Sequence, residues 1–346
     1  MLPYKEFVDY VMRNIRDYLP EDYMNSDVAV DTVLRNNHQV GERLFISKNG
    51  EELVPNIFLN DFYNEFVKGK SANDILEEIA KIRVENEFSS IEKNAFNDYE
   101  SVKDKVIMKL VNYEKNKDAL EEVPHRKFGM KLAAIYEIEI GNSKEGNSTA
   151  SIDNSLLTMW NVTEIKLFKD AVENMQLSHP VKLISMNNMV ASTLSGTDIE
   201  LDMKPNTLDD MNIMTTTDEI NGAATILYPG LLDKIGKAMG ENYYIIPSSI
   251  NEVIVMKETM GKTPVELNKM IKTINQSVPE EEILDEESYE YDINDKALYL
   301  ARNHRLLFKA EDLNQNKVTD RGNIMNSFIQ KMKENSMNFY EEQFDK

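Results

Sequence analysis

The sequence predicts an α+β protein with a mixed, mostly antiparallel sheet, helices packed on it, a helical N-terminal segment and a C-terminal helix. Two patterns lead to this prediction. Near both ends of the chain, apolar residues recur at three- and four-residue steps, which is the spacing of one helix face. In the middle, short runs of alternating apolar and polar residues lie between turn residues, which is typical of half-buried strands.

Residues 1–100 are predicted to form a helical N-terminal region with a short strand. Apolar residues from Phe7 to Leu19 follow the helix period and indicate the first helix, whereas "RLFIS" at 43–47 indicates the strand. Ser71 precedes another helical pattern, and serine is a favoured N-cap because its hydroxyl accepts a hydrogen bond from a free backbone N–H.

Residues 101–300 are predicted to form an α+β core with two similar strand–helix units, 106–175 and 211–275. An internal duplication, or simply the common order of strand, turn and helix, explains their likeness. In the second unit, the segments 211–217 and 223–228 flank an Asn-Gly turn, and we predict that they pair as a hairpin.

The last part of the chain begins with an acidic run at 278–295. Charge runs are usually solvated, so Tyr289 and Tyr291 are predicted to cover one side of an edge strand. Residues 301–346 are predicted to be a C-terminal helical segment, with a helix from about residue 320 that completes a core or docks on a partner.

The composition excludes several kinds of chemistry. The chain has no cysteine, which removes disulfides, thiol catalysis and thiolate metal sites. No stretch approaches the roughly 18 apolar residues of a membrane span. The N-terminus carries charges throughout, unlike a signal peptide. We therefore expect a cytoplasmic protein with no membrane partner.

The net charge is −21, from 60 acidic and 39 basic residues. Such a charge repels nucleic acid and anionic membranes, so no direct nucleic-acid contact is predicted. It serves solubility, or it engages a basic protein partner such as a nucleic-acid-binding protein. The sequence leaves the oligomeric state open.

One segment imitates a phosphate-binding loop. A strand-like run leads into Gly261-Lys262-Thr263 and then into a helical pattern. The full motif needs a glycine five residues before Gly261, where this chain has Met256. Pro264 removes a further backbone N–H. We therefore predict a loop followed by a helix with Thr263 as its N-cap.

The sequence assigns no catalytic residue. A catalytic site would have to be built on His125 and Arg126 in "VPHR" and on Ser248, Ser249 and Glu252 in "PSSINE". The serines lack the flanking glycines of a nucleophile elbow, whereas Ser249 and Glu252 match a capping box, so a turn is predicted there.

No metal or cofactor site is predicted either. The four histidines are scattered without the spacing of helical metal ligands. The acidic clusters lack the ligand order and the glycine of a calcium loop.

Several segments resemble an uncharacterised bacterial family, known only as a domain of unknown function, that occurs in gut Gram-positive bacteria and their mobile elements. They include "VPNIFLNDFYNEFVKGKSANDILEEI", "KLVNYEKNKDALEEVPHRKFGMKLAAIYEI" and "INGAATILYPGLLDKIGKAMGENYYIIPSSINEV". "WNVTEIKLFKDAVEN" also resembles part of a second uncharacterised bacillar family. The first family has a histidine after "PSSI", where this chain has Asn251, so the resemblance implies no acid–base residue at that position.

These observations favour a non-enzymatic cytoplasmic binding protein whose acidic surface engages a basic protein, with a role in a mobile element or in phage–host conflict. The alternative is a hydrolase or transferase whose site is formed by the segments 123–126, 228–232 and 247–252. The resemblance supplies no reaction and no catalytic residue.

Overall fold

The computed structural model describes residues 2–48, 54–55, 57–86, 96–143, 146–186 and 208–314. These ranges contain α-helices and three antiparallel sheets, which confirms the predicted α+β class. The α-helices are α1 (Tyr4–Asn14), α2 (Leu59–Val67), α3 (Ala72–Glu85), α4 (Tyr99–Val102), α5 (Asn154–Trp160), α6 (Glu164–Ser178), α7 (Leu231–Met239), α8 (Pro264–Asn275) and α9 (Ala310–Asn314).

The strands divide among a three-stranded, a four-stranded and a seven-stranded sheet. Their bounds are β1 (Asp27–Leu34), β2 (Val40–Ser47), β3 (Ile57–Phe58), β4 (Val106–Asn112), β5 (His125–Phe128), β6 (Leu132–Ser143), β7 (Gly146–Ser151), β8 (Val181–Ser185), β9 (Met211–Thr216), β10 (Tyr243–Pro247), β11 (Val253–Lys257), β12 (Tyr289–Asp292), β13 (Ala297–Leu300) and β14 (Arg305–Lys309).

The N-terminal part combines α1–α3 with the sheet β1-β2-β3, so it holds three strands rather than the single short one predicted. The predicted helices are confirmed, and the Ser71 side chain accepts a hydrogen bond from the Asp74 N–H at the start of α3. Phe7, Leu44 and Ile79 belong to one cluster of buried side chains in this part.

The rest of the described chain has a larger core between its two sheets. The long strand β6 pairs with β4 on one side and with β5 and β7 on the other, while the second sheet has the order β14-β13-β12-β10-β11-β9-β8. One hydrophobic cluster runs from Phe96 to Phe308 and includes side chains of α6 and α7. The division at residue 100 and the two similar units stay predictions.

The predicted hairpin of 211–217 with 223–228 is wrong. The first segment forms β9, which pairs with β8 and β11, but Gly222–Leu227 forms a 3-10 helix. This apolar segment has no alternation because it is buried on all sides, and the Ala223 N–H donates to the carbonyl of Ile250 at 3.2 Å.

The acidic run is not an edge strand either. Its strand β12 lies inside the seven-stranded sheet between β13 and β10, and both tyrosines are fully buried. The Tyr289 hydroxyl donates to Oδ2 of Asp285 at 2.7 Å, and the Tyr291 hydroxyl donates to Oδ1 of Asp233 at 2.6 Å. The phenols can be buried because carboxylates accept their hydrogen bonds.

The C-terminal helix predicted from about residue 320 lies outside the described residues, which end with the short helix α9. Among the helices that the structure describes, none combines the length and the apolarity needed to cross a membrane.

Candidate functional site

A cavity of about 230 Å³ lies between the four-stranded sheet, the C-terminal end of α6 and two loops, 217–222 and 248–252. We call it the His179 cavity. Its walls combine four apolar and six polar residues: Ile107, Met175, Ile220 and Ile250, with Lys109, Glu137, Thr149, His179, Asn221 and Asn251.

The strand register places two opposite charges on the same wall. Lys109 pairs with Ile135, and Ile107 pairs with Glu137, across the antiparallel ladder of β4 and β6. Because side chains alternate between the two faces of a sheet, Lys109 and Glu137 point to the same side. The opposite face, which carries Tyr136, packs into the main core.

His179 follows α6 directly, and its side chain is 8% exposed. Nδ1 lies 2.8 Å from Oδ2 of Asp218, and Nε2 lies 3.3 Å from Oε1 of Glu139 without hydrogen-bond geometry. The Tyr228 hydroxyl donates to the carbonyls of His179 and Met175, at 2.9 and 3.2 Å. The ring is therefore fixed between two acidic side chains at the end of a helix.

The loop 248–252 is a turn between β10 and β11, as predicted, but the predicted capping box is wrong. The Glu252 carboxylate accepts from the hydroxyl of Ser248 at 3.0 Å rather than pairing with Ser249. The Ser249 hydroxyl accepts from the Asn251 N–H at 3.0 Å, and the loop is not helical. Oδ1 of Asn251 accepts from the Asn221 N–H at 3.1 Å, which ties together the two loops of the cavity.

The other two candidate catalytic residues lie on β5. Nδ1 of His125 is 3.1 Å from the carbonyl oxygen of Val123. Arg126 donates two hydrogen bonds to Glu164, at 3.0 and 2.9 Å, and its guanidinium lies 3.9 Å from the centroid of the Phe168 ring. The Arg126 contacts hold β5 against α6, whereas the His125 contact stays within two residues of its own position.

The structure brings only some of the predicted site residues together. Ser248 and Glu252 are in contact, and the segments 228–232 and 247–252 both reach the surroundings of His179, through Tyr228 and Asn251. Within the described ranges, no hydrogen bond or ion pair joins His125 or Arg126 to that loop. These residues stay candidates for the alternative catalytic function, and none is assigned a catalytic role.

A larger cleft of about 830 Å³ adjoins the His179 cavity. We call it the sheet cleft. One wall belongs to the N-terminal part and includes Arg43 and Phe58, and the opposite wall is the face of the four-stranded sheet that carries Ile135 and Glu137. Lys109, Glu137, Thr149 and Ile250 line both spaces, so the cavity lies at one end of the cleft.

The segment that imitates a phosphate-binding loop has the predicted structure. Thr263 caps α8 in a reciprocal capping box with Glu266, and Gly261 adopts a φ of 68° in the turn before it. The side chains that the structure describes contain no group of three or more His, Asp or Glu residues arranged to hold a metal ion.

A model of a family of unknown function, DUF5688, matches residues 4–293. The chain belongs to this family. Comparison with curated proteins gives no match, and comparison with solved structures gives none. The DUF5688 match covers the N-terminal part, the four-stranded sheet and most of the seven-stranded sheet, and therefore every residue that lines the His179 cavity.

The sequence shows His179 only as one of four scattered histidines and does not reveal its position between two acidic side chains. Its partners Asp218 and Glu139 are 39 and 40 residues away, so no local spacing joins them. The one usable signal was the alternation of apolar and polar residues in β4 and β6. It places Lys109 and Glu137 on the face of the sheet that points away from the main core.

Proposed function

We propose that the protein is a non-enzymatic binding protein and that a basic segment of a protein partner occupies the sheet cleft. The observation that carries this proposal is the cleft itself, which lies between the N-terminal part and one face of the four-stranded sheet. Its volume, about 830 Å³, lies in the range of clefts that enclose a ligand of several residues or a drug-sized molecule.

The charges around the cleft favour a basic occupant. Two of its three bases are already neutralised, because Arg35 pairs with Asp61 and Glu281, and Arg43 pairs with Asp31. Counting these ion-pair partners, the cleft has five carboxylates against three bases: Asp31, Asp61, Glu137, Glu281 and Glu282, against Arg35, Arg43 and Lys109. The overall charge of −21 has the same sign and would steer a basic partner toward the protein.

The apolar lining supplies the rest of the binding free energy in this proposal. Phe45, Phe58 and Ile82 face the cleft from the N-terminal part, and Ile135 and Ile140 face it from β6. Removing such surface from water gives about 25 cal/mol per Å², so a segment that alternates basic and apolar side chains fits both features. The family resemblance extends the proposal to a cytoplasmic role in a mobile element or in phage–host conflict.

The test begins with capture of partners by the tagged full chain from bacterial lysates with and without phage. A captured protein is then purified, and its affinity is measured at low and high salt. We expect weaker binding at high salt because exposed charges are screened. The double variant Glu281→Gln with Glu282→Gln should bind about three- to tenfold more weakly, since each rim ion pair contributes up to about 1 kcal/mol.

The matched control removes two exposed carboxylates from helices outside the cleft, with Glu77→Gln and Glu173→Gln. Its affinity should equal that of the unmodified protein. A partner that binds both double variants equally, and equally at both salt concentrations, would show that neither the cleft nor its charge is used.

A further inference from the structure

The His179 cavity has one cationic and one anionic side chain on its sheet wall. Lys109 and Glu137 are both partly buried, and neither forms an ion pair within the ranges that the structure describes. Partial burial removes water from a charge, which costs free energy unless an opposite charge compensates. Each side chain is therefore available to a ligand group of opposite sign.

Polar groups from four other elements line the cavity: the loops 217–222 and 248–252, β7 and the end of α6. Asn221 supplies an amide side chain that can donate and accept, and Thr149 supplies a hydroxyl. The Asn251 amide already accepts from the Asn221 N–H and donates to Glu282. His179 is more than nine-tenths buried, and its Nε2 lies 3.3 Å from Oε1 of Glu139, so the imidazole ring forms a fixed part of the wall.

The volume and the remaining walls limit the size and character of the ligand. About 230 Å³ exceeds the roughly 150 Å³ cavity that accepts benzene, but it is below the roughly 300 Å³ at which sites for drug-sized ligands begin. A nucleotide would have to extend out of this cavity into the sheet cleft. Ile107, Met175, Ile220 and Ile250 give the cavity an apolar side.

We propose that the His179 cavity binds a small zwitterion of the amino-acid type with an apolar side chain. Its carboxylate pairs with Lys109, its ammonium pairs with Glu137, and its side chain contacts the apolar wall. The Asn221 amide contributes a further hydrogen bond, because an amide can serve a carboxylate or an ammonium group. This inference goes beyond the proposed protein-binding function and does not depend on it.

The test is isothermal titration calorimetry of the full chain with L-leucine, L-methionine and L-valine. Two compounds each lack one charged group of leucine: 4-methylpentanoate lacks the ammonium, and 3-methylbutylamine lacks the carboxylate. At least one of the three amino acids should bind. If leucine binds, both analogues should bind at least tenfold more weakly; for methionine or valine, the corresponding deaminated and decarboxylated compounds are used.

Two variants test which side chain binds the carboxylate of the ligand and which binds its ammonium group. Lys109→Met should abolish the preference for the amino acid over the amine, because that preference comes from the carboxylate. Glu137→Gln should abolish the preference over the carboxylic acid. The exposed residues Lys105 and Glu121 provide the controls Lys105→Met and Glu121→Gln, which should keep both preferences.

Two results on the folded, unmodified protein would overturn the inference, so it stays testable even if a variant fails to fold. One is the absence of binding by all three amino acids at millimolar concentration. The other is equal binding of an amino acid and one of its single-charge analogues. Neither result bears on the sheet cleft, whose test uses a protein partner and different side chains.

Discussion

Asn37 and Asn116 exchange two hydrogen bonds across the junction between the N-terminal part and the core. The Asn37 N–H donates to Oδ1 of Asn116 at 2.7 Å, and Nδ2 of Asn116 donates to Oδ1 of Asn37 at 3.1 Å. Nδ2 of Asn37 also donates to the carbonyls of Glu280 and Ile283, at 2.7 Å each. Asn37 adopts a φ of 58°, a left-handed conformation that asparagine tolerates better than most residues.

We predict that Asn116→Ala lowers the free energy of unfolding by about 1–3 kcal/mol. Both asparagines are buried, and the substitution leaves the Asn37 N–H without its acceptor. Urea denaturation followed by circular dichroism measures the change. The exposed Asn97 provides the control Asn97→Ala, which should stay within about 0.5 kcal/mol of the unmodified protein. Equal stability of the two variants would mean that the paired amides do not stabilise the junction.

Gly222 lies where the two loops of the His179 cavity meet, and we predict that Gly222→Ala destabilises the protein strongly. A Cβ atom there would lie 2.2 Å from the carbonyl oxygen of Asn251, 2.2 Å from Oγ1 of Thr215 and 2.7 Å from Cα of Thr215. Two of these three atoms belong to the backbone, so β9 or the 248–252 loop must move. Overpacking of this kind costs about 1–3 kcal/mol or more, which thermal unfolding would detect.

The comparison for Gly222 is Gly230, which has a φ of 74° and open space within 4 Å of the position that a Cβ atom would take. Gly230→Ala introduces only the conformational cost of a left-handed residue, about 1–2 kcal/mol. We expect Gly222→Ala to change the shape of the His179 cavity as well, and therefore to weaken any ligand found there. Gly230→Ala should leave the affinity unchanged.

Arg83 is almost completely buried in the N-terminal part, and we predict that Arg83→Met lowers the free energy of unfolding by about 1.5–3 kcal/mol. Its Nε donates to the carbonyl of Ile46 at 2.7 Å, and its Nη1 donates to the hydroxyl of Tyr23 at 3.1 Å. Methionine fills a similar volume but can donate neither of these hydrogen bonds. Chemical denaturation measures the loss.

Lysine cannot replace Arg83 either, because one ammonium group cannot reproduce the fork geometry of a guanidinium. Arg83→Lys should therefore recover less than half of the lost stability. Arg13 is the control: its side chain is 77% exposed and lies 4.0 Å from Asp9, so Arg13→Met should change the stability by no more than about 0.5 kcal/mol. A large effect of the control would point to the loss of positive charge as the cause.

Local signals in the sequence predicted the helices well. The N-caps at Ser71 and Thr263 were predicted correctly because a cap needs only residues within one helical turn. The strands of the hairpin β10–β11 were predicted for the same reason, since a five-residue loop joins them. The strand prediction for this part of the chain, 222–227, was wrong because its burial comes from β9 and the 248–252 loop. These neighbours are distant in the chain, so no short window of the sequence contains them.

The candidate site was harder to predict because its parts are distant in the chain. Lys109 and Glu137 are 28 residues apart, and only the register of β4 with β6 brings them to one wall. His179 precedes β8 and Asp218 follows β9, and the antiparallel pairing of these two strands brings the two side chains together. The loop with Ser248 drew attention through its residue types, yet the residue of this loop that contributes a polar side chain to the cavity is Asn251.

The pKa values of Asp285 and Asp292 are shifted in opposite directions, and this difference gives a prediction about pH. Burial raises the pKa of Asp285 above the usual carboxyl range, although Tyr289 and Lys131 oppose the shift. The backbone N–H groups of Asp295 and Asn294, at 2.9 and 2.8 Å, lower the pKa of Asp292. The two carboxyl groups should therefore affect the stability in opposite directions as the pH changes.

For Asp285, the folded state binds the proton more tightly than the unfolded state. Its contribution to stability therefore falls as the pH rises from the ordinary carboxyl pKa, about 3.9, to the raised value. In Asp285→Asn this titration is absent, so the stability of the variant relative to the unmodified protein should increase across that window. For Asp292, the contribution is present above the ordinary pKa and is lost as the pH falls through the lowered one. Asp292→Asn should therefore be less stable at neutral pH, and the difference should shrink as the pH falls below the ordinary carboxyl pKa. Urea denaturation from pH 3 to pH 7 measures both differences, and stability curves that run parallel for the two variants would contradict the prediction.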